Sequence, residues 1–188
     1  MSLYDTKDQV VLVDSADTDL GTMEKMEAHQ KGLMHRAVSI LIFNTKGEWL
    51  LHQRAQEKYH AGGLWTNACC THPYLGESYE SAAERRMMEE MGMKIDRERL
   101  VHLFDFTYKV ELDNGLTEHE YDRVFAYLTD AEPMPNAEEV MAWKHLRHEA
   151  LVAEITSQPE RYTPWFRIIF EKTLPHLDKV RASSSEKH

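Results

Sequence analysis

The fold of this chain is limited first by an almost wholly apolar run from Ala37 to Phe43, with the sequence AVSILIF. A short run of this kind is typical of a β-strand buried within a sheet. The residues from Trp49 to Arg54 alternate after a turn at Lys46-Gly47, so the two segments are predicted to form a hairpin. A sheet is therefore expected at the centre of the fold.

Further strands are predicted on both sides of this hairpin. Val10 to Asp14 is predicted to be a short strand, and Val140 to Lys144 another. Leu100 to Leu112 and Thr117 to Leu128 flank Asp113-Asn114-Gly115, which is a strong signal for a hairpin turn. These segments predict a sheet of several strands.

Helices are predicted between and after these strands. Glu77 to Met91 contains no glycine or proline, and Gly92 follows at a position suited to a C-terminal cap. Thr163-Pro164 is predicted to start the last long helix, and the serine-rich residues 181–188 are expected to be a disordered polar tail. The fold class is therefore α+β or an α/β sandwich, a mixed β-sheet flanked by helices, in a single domain over residues 1–180.

Composition excludes several classes of function. The 188 residues carry a formal net charge of -10 with only 22 Lys and Arg, whereas a nucleic-acid binder needs a dense basic face. An anionic substrate must therefore be met by a local basic cluster. No run approaches the roughly 18 apolar residues of a membrane span, and the N-terminus lacks a signal pattern. We expect a cytoplasmic protein with reduced cysteines and with no nucleic-acid or membrane partner.

The chemistry is expected to lie in residues 65–77, WTNACCTHPYLGE. This segment holds both cysteines, one histidine and a glutamate that opens the next helix: Cys69, Cys70, His72 and Glu77. A thiol, a metal ligand and a carboxylate so close together suggest a reaction centre. The segment is predicted to be a loop, since Gly62-Gly63 precedes it and Pro73 lies within it. Loops on rigid scaffolds carry much of protein function.

The helix after this segment has a charged pattern, GES followed by ERRMMEEMGM, which a solvated face with salt bridges would also explain. The pattern resembles the Nudix box, a loop and helix whose glutamates hold divalent metal against a diphosphate. The matching residues are Glu77, Arg85, Glu89, Glu90 and Gly92. Thr71 stands where that family has a glycine, and Arg86 stands where it has a catalytic glutamate. Because a guanidinium can grip phosphate bidentately, this box is interpreted as one for binding rather than for cleavage.

Three segments extend the resemblance: EKMEAHQKGLMHRAVS, WTNACCTHP and EHEYDRVFAY. Together they resemble the type 1 isopentenyl-diphosphate isomerases, which are Nudix-fold enzymes of isoprenoid synthesis, over about residues 20–170. The resemblance implies a Nudix-type α/β/α sandwich. It also implies an isomerase that interconverts isopentenyl and dimethylallyl diphosphate by adding a proton at one carbon and removing one from another, through a carbocation-like state.

A metal centre is predicted from three imidazoles and two carboxylates, a donor set suited to Mn²⁺, Zn²⁺ or Fe²⁺. Glu118 and Glu120 are two residues apart on a predicted strand, so both point to one face, whereas His119 points to the other. The resemblance places the metal ligands at His29, His35, His72, Glu118 and Glu120. It implies one tightly held divalent metal, Mn²⁺ with Zn²⁺ or Fe²⁺ as alternatives.

The resemblance also assigns the proton-transfer groups. Glu120, relayed through Tyr108, is expected on one face of the substrate and Cys70 on the other. Trp165, in the segment RYTPWF, resembles the aromatic wall that stabilises a developing cation. Cys69 is expected to be an inert buried residue.

The diphosphate of the substrate needs the local basic cluster. The family grips its diphosphate at the positions of Lys25, Arg54, Lys58 and Arg86. Mg²⁺ is expected to accompany the diphosphate with Glu90 as its protein ligand, since Mg²⁺ keeps several waters and needs few carboxylates. The partner is therefore expected to be a small-molecule diphosphate, and the protein a monomer or weak dimer.

Two alternatives to an isomerase remain open. A Nudix-type diphosphate hydrolase would release phosphate and would not need Cys70. A non-catalytic metal or thiol module would take up metal without turnover. Arg86 at the glutamate position argues against the hydrolase, and the tryptophan with the basic cluster argues against the module.

Overall fold

The computed structural model describes residues 8–58, 60–112 and 114–185. The strands are β1 Gln9–Val13, β2 Asp19–Glu24, β3 His35–Phe43, β4 Trp49–Arg54, β5 Trp65–Thr66, β6 Cys69–Thr71, β7 Val101–Glu111, β8 Thr117–Leu128 and β9 Val140–Leu146. The α-helices are α1 Lys25–Lys31, α2 Tyr79–Met91, α3 His148–Ser157, α4 Pro164–Thr173 and α5 Leu177–Ser185. Of the helices in these ranges, none combines the length and the apolar character needed to cross a membrane.

β3 lies at the centre of a mixed sheet. It pairs in parallel with β8 along its whole length, from His35 opposite Glu120 to Phe43 opposite Leu128. Three antiparallel strands, β1, β6 and β4, share the other side of β3. β7 pairs with β8, and β9 pairs with β4, both antiparallel. Residues on β6 and β8 therefore approach the site from opposite sides of β3.

Helices cover both faces of the sheet. Alternate side chains of β3 enter opposite faces, so Leu41 packs in a cluster with Phe166 of α4, while Ile40 packs in a second cluster with Met87 of α2. Burying each such side chain contributes about 1.5–3 kcal/mol. The predicted α+β class, a mixed sheet between helices in a single domain, is confirmed.

Turns and caps join these elements where the sequence indicates. The side-chain oxygen of Asn44 accepts hydrogen bonds from the amides of Lys46 and Glu48 in the β3–β4 turn. The Ser78 hydroxyl accepts a hydrogen bond from the Ser81 amide and caps α2. Gly92 ends α2 with a φ of 62°, and a side chain there would clash with the carbonyl of Met134.

Most predicted elements are confirmed within a few residues. These are the hairpin of β3 and β4, the hairpin of β7 and β8, the short strands β1 and β9, and the helices α2 and α4. Thr163 caps α4 by accepting a hydrogen bond from the Phe166 amide. Asp113, in the predicted turn between β7 and β8, lies outside the described residues.

The prediction of a loop over residues 65–77 is wrong in part. Cys69, Cys70 and Thr71 form β6, which pairs with β3, and Trp65 starts β5, which pairs with β4. Glycine and proline flank these short paired stretches and predict a loop. The strands between them, of two and three residues, are too short to give a strand pattern of their own. The elements β2 and α1 were not predicted. A helix of seven residues is too short to show a clear helical period, and β2 is mostly exposed and contains Gly21, so it lacks the apolar pattern of a buried strand.

The C-terminal segment, predicted to be a disordered tail over residues 181–188, is described through Ser185. Helix α5 continues through Ser185. Val180 is buried in the cluster that contains α4, which anchors the helix just before the polar residues. Residues 186–188 lie outside the described residues.

Candidate active site

The five predicted metal ligands converge. One ligand atom from each lies within 4.8 Å of all the others. The ligands come from α1, the start of β3, the residue after β6, and β8: His29, His35, His72, Glu118 and Glu120. The sheet explains this arrangement, since His35 and Glu120 are direct partners in the parallel β3–β8 pair, and alternate residues of β8 share a face.

Backbone carbonyls fix the orientation of two of these histidines. Nδ1 of His29 donates to the carbonyl oxygen of Lys25 at 2.6 Å, and Nδ1 of His35 donates to that of Leu33 at 2.8 Å. A carbonyl can only accept, so the proton lies on Nδ1 and Nε2 is turned toward the carboxylates. Nε2 of His29 lies 3.3 Å from Glu118. Both rings are therefore held in the tautomer that a metal ligand needs.

This donor set fits a divalent cation. Nε2 of His35 is buried and, among the described residues, has no hydrogen-bond partner, a state that costs free energy unless something binds there. Nε2 of His72 lies 3.0 Å from Glu120. Burial lowers the pKa of His72 to about 4, so this imidazole stays neutral and able to bind metal. Neutral imidazoles with carboxylates suit Mn²⁺, Zn²⁺ or Fe²⁺.

The thiol of Cys70 is held by two polar neighbours. It lies 3.2 Å from the side-chain oxygen of Asn67 and 3.3 Å from the Ser39 hydroxyl. That hydroxyl donates a hydrogen bond of 2.7 Å to the buried carboxyl group of Asp122. Burial, with the charge of Asp122, raises the pKa of Cys70 well above its ordinary value. The thiol therefore keeps its proton.

A cavity of about 580 Å³ opens onto the ligand cluster. The predicted proton-transfer groups and aromatic wall line it: Cys70, Tyr108, Glu120 and Trp165. The predicted diphosphate-binding cations and the predicted Mg²⁺ ligand also line it: Lys25, Arg54, Lys58, Arg86 and Glu90. His29 and His35 are fully buried next to Glu118 and Glu120. The structure thus brings together the predicted metal ligands, proton-transfer groups and cations. Glu77, expected in the same reaction centre, does not line the cavity and instead pairs with Arg85.

Carboxylates hold the cations of this cluster in place. Nε of Arg86 lies 3.1 Å from Glu90, and Nη2 lies 3.0 Å from Glu139. Lys58 forms an ion pair with the same oxygen of Glu139. The cavity lining holds five Lys and Arg side chains against five glutamates, whereas the chain as a whole carries a net charge of -10. An otherwise acidic chain therefore has the basic cluster that an anionic substrate requires.

Glu90 is buried between α2 and β4. Nε2 of His52 lies 3.2 Å from one of its oxygens, and Cys69 lies 3.8 Å from the other. Burial alone would raise the pKa of Glu90. The hydrogen bond from His52 and the charges of His52 and Arg86 outweigh burial and hold that pKa at about 2. Glu90 is therefore ionised at neutral pH.

Sequence reasoning missed several residues of the site: Ser39, His52, His60, Asp122 and Glu139. Asp122 carried a usable signal, because it continues the alternation of Glu118 and Glu120 on the inward face of β8. The two histidines are among eleven in the chain and follow no spacing pattern. Ser39 lies within an apolar run, and Glu139 reaches the site from a loop that no motif marks.

Comparison with known families and curated proteins gives consistent results. The NUDIX domain family matches residues 33–166. A Pectobacterium atrosepticum protein named isopentenyl-diphosphate Delta-isomerase is 45% identical over 177 residues, which cover 94% of this chain and 97% of that protein. A Photorhabdus laumondii protein named isopentenyl-diphosphate Delta-isomerase 2 is 46% identical over 160 residues, covering 85% and 89% of the two chains.

Solved structures share the fold at lower sequence identity. The DR0079 protein of Deinococcus radiodurans aligns with a TM-score of 0.64 at 21% identity, over 80% of this chain and 90% of that one. A MutT protein of Methanosarcina mazei aligns with a TM-score of 0.61 at 19% identity, over 79% and 95%. Similarity at this level supports the arrangement of strands and helices alone.

Proposed function

This chain belongs to the Nudix family and, within it, to the isopentenyl-diphosphate Delta-isomerases, and we propose that it performs the isomerisation with Cys70 and Glu120 as the two proton-transfer groups. The enzyme interconverts isopentenyl diphosphate and dimethylallyl diphosphate. The observation that carries our assignment of residues is the shared cavity, which both groups line together with Trp165 and the cation cluster.

The reaction requires two proton transfers and no change in composition. One proton is added to the terminal methylene carbon, and one is removed from the carbon that bears the CH₂–O group, so the double bond moves by one position. Cys70 and Glu120 suit these roles because β6 and β8 bring them to the cavity from opposite sides of β3. The protonated thiol of Cys70 can donate a proton, and the carboxylate of Glu120 can accept one. The two groups exchange these roles when the reaction runs in the reverse direction.

Trp165 and the walls of the cavity stabilise the charge that develops between these steps. Trp165 is buried in α4, and its indole lines the cavity. An aromatic face stabilises a nearby cation by about 0.5–2 kcal/mol without attacking it. Exclusion of water protects the carbocation-like state from capture as an alcohol.

A divalent metal belongs to this proposal, because Nudix enzymes use such metals and the five-ligand cluster fits one. We assign Mn²⁺ to the cluster, with Zn²⁺ or Fe²⁺ as alternatives, and Mg²⁺ with Glu90 to the substrate diphosphate. A bound cation would make the nearby carboxyl group of Glu120 more acidic. Lys25, Arg54, Lys58 and Arg86 would bind the diphosphate, and Arg86 would do so bidentately.

The structure offers no observation that favours the hydrolase alternative over the isomerase. Arg86 contacts both Glu90 and Glu139, so a cation occupies the place in α2 where a Nudix box would add another metal-binding carboxylate. A monomer or weak dimer, the cytoplasm as the compartment, and a domain boundary near residue 180 stay predictions.

The test is isomerisation in D₂O. The purified protein is incubated with isopentenyl diphosphate, Mn²⁺ and Mg²⁺, the metals are removed, and the products are analysed by proton NMR with a parallel assay of free phosphate. Dimethylallyl diphosphate carrying deuterium, without released phosphate, is expected. Phosphate release without the isomer would favour a hydrolase. Metal uptake with neither product would favour a binding module.

A further inference from the structure

His60 is a buried histidine that contacts the ligand cluster from outside it. We propose that His60 is a positioning residue, which holds one oxygen of Glu118 so that the other oxygen faces the metal, and which also supports Trp165. This inference extends the proposed isomerase site by one residue. It rests on that site for its effect on turnover, but its effect on metal binding can be measured without turnover.

The first observation is the division of the Glu118 carboxylate between two imidazoles. Nε2 of His29, inside the ligand cluster, lies 3.3 Å from Oε2 of Glu118. Nε2 of His60 contacts the other oxygen, Oε1. All three side chains are buried, so water cannot readily replace either contact. Oε1 accepts a hydrogen bond from Nε2 of His60, and Oε2 remains available to the ligand cluster.

The second observation is that the backbone of residues 60–63 makes close contacts with Arg54 and Gln56. Gly63 has a φ of 77°, and a side chain at Gly62 would clash with the carbonyl of Gln56. Nη2 of Arg54 donates a hydrogen bond of 3.2 Å to the carbonyl oxygen of His60. A loop fixed in this way can hold an imidazole in one position, as a positioning role requires.

The third observation connects His60 to the aromatic wall. The ring of His60 lies 5.5 Å from that of Trp165, measured between centroids, and the guanidinium carbon of Arg54 lies 5.4 Å from the Trp165 ring. One side chain thus packs between a metal ligand and the aromatic group proposed to stabilise the cation. Loss of its volume would loosen both.

These contacts predict what removal of His60 would do. Without a donor at Oε1, the Glu118 carboxylate would have a buried oxygen with one fewer hydrogen bond and would be free to rotate. Partners that orient metal ligands typically change metal affinity or activity by about 10- to 100-fold when they are removed. A neutral amide N–H could supply the same hydrogen bond, so glutamine should restore part of the function.

The experiment measures Mn²⁺ affinity without substrate, from the free Mn²⁺ signal in electron paramagnetic resonance. For His60→Ala we expect a Kd raised by about 10- to 100-fold, and for His60→Gln a value much closer to that of the parent. His102→Ala is the matched control, since the exposed His102 pairs with a carboxylate, Asp105, outside the site. If His60→Ala does not fold, as judged by circular dichroism, His60→Met replaces it because methionine fills similar space without an N–H donor.

Two results would overturn the proposal. One is a folded His60→Ala or His60→Met protein that binds Mn²⁺ as tightly as the parent. The other is a His60→Gln protein that binds as weakly as the alanine variant, since a hydrogen bond would then not be the cause. Turnover at saturating Mn²⁺ is the second readout. A lower kcat with a KM changed by less than about threefold is expected, because the cations that bind diphosphate are intact. If the parent protein has no isomerase activity, the proposed function is rejected. The comparison of Mn²⁺ affinities remains valid in that case, because it uses no substrate.

Discussion

The phenol of Tyr108 donates a hydrogen bond of 2.7 Å to Oε2 of Glu120, its direct partner across the β7–β8 pair. Oε1 of the same carboxylate faces Nε2 of His72 at 3.0 Å. Burial and the charge of Glu120 raise the pKa of Tyr108 well above its ordinary value, so the phenol remains a donor at neutral pH. One oxygen of Glu120 is thus turned to the ligand cluster and the other to a fixed proton donor.

This relationship predicts the effect of Tyr108→Phe. The substitution keeps the ring and removes the hydrogen bond to a buried carboxylate, an interaction worth about 1.5–3 kcal/mol. We expect kcat to fall by about 10- to 100-fold and KM to stay nearly constant, because the cation cluster is not altered. The measurement is the rate of deuterium incorporation from D₂O at saturating isopentenyl diphosphate.

A matched tyrosine provides the control for this prediction. Tyr121 donates a hydrogen bond of 3.1 Å to Asp105, outside the cavity. Tyr121→Phe should leave kcat within about twofold of the parent, because Tyr121 does not line the cavity. Equal losses of kcat in both variants would show that the effect does not depend on the contact with Glu120, and would remove Tyr108 from the mechanism.

The two adjacent cysteines allow a second prediction. Cys70→Ala removes the proposed proton-transfer group and should abolish turnover while metal content stays normal. Cys69→Ala should remain active, because the Cys69 side chain packs in the α2 cluster and its loss costs only part of the core packing there, about 1 kcal/mol. The measurements are isomerisation rate, bound metal and thermal unfolding for both proteins. Similar turnover in the two variants would be incompatible with the role assigned to Cys70.

Much of the fold could be predicted because its strongest signals are local. The apolar run of β3, the Asn-Gly turn between β7 and β8, and Gly92 after α2 each specify local geometry through side-chain burial or backbone freedom. β6 could not be predicted in this way. Its three residues are a strand only because β3 lies beside them, and no local pattern records a partner about 30 residues away.

The residues of the candidate site also fall into two groups, those that a local pattern or the family resemblance predicted and those that only the folded chain identifies. Glu118 and Glu120 were placed on one face by strand period alone, and the other ligands by family resemblance. His60 and Glu139 could not be found, because their importance lies in contacts with Glu118 and with Arg86 that only the folded chain creates. A single histidine or glutamate in a loop looks the same in sequence whether it reaches a site or faces solvent.

Arg86 gives a third prediction. Its guanidinium spans Glu90 and Glu139 at the cavity and is proposed to grip the diphosphate. Arg86→Gln should raise the KM for isopentenyl diphosphate by about 10- to 100-fold, because a charge-assisted contact is lost and two carboxylates are left facing the anionic substrate. Arg97→Gln is the control, since Arg97 is exposed, donates a hydrogen bond to the Ser81 hydroxyl on α2 and does not line the cavity. An unchanged KM in Arg86→Gln would refute the assignment.

A last prediction concerns stability and pH at a pair outside the active site. Asp105 and Arg123 are direct partners in the β7–β8 pair and form two hydrogen bonds of 2.9 Å. Burial would raise the pKa of Asp105, but the hydrogen bonds from Arg123 and His102 outweigh it and lower that pKa from 3.8 to about 2. A carboxylate whose pKa is lower in the folded state stabilises the fold above its unfolded pKa, and this contribution is lost as pH falls from 3.8 toward 2. Asp105→Asn should therefore reduce the free energy of unfolding at neutral pH by about 1 kcal/mol, a modest value because the pair is partly exposed. Urea unfolding of both proteins at several pH values checks this prediction. The difference between their free energies of unfolding should shrink across that acidic window. A difference that stays constant with pH would mean that the charge of Asp105 is not the cause.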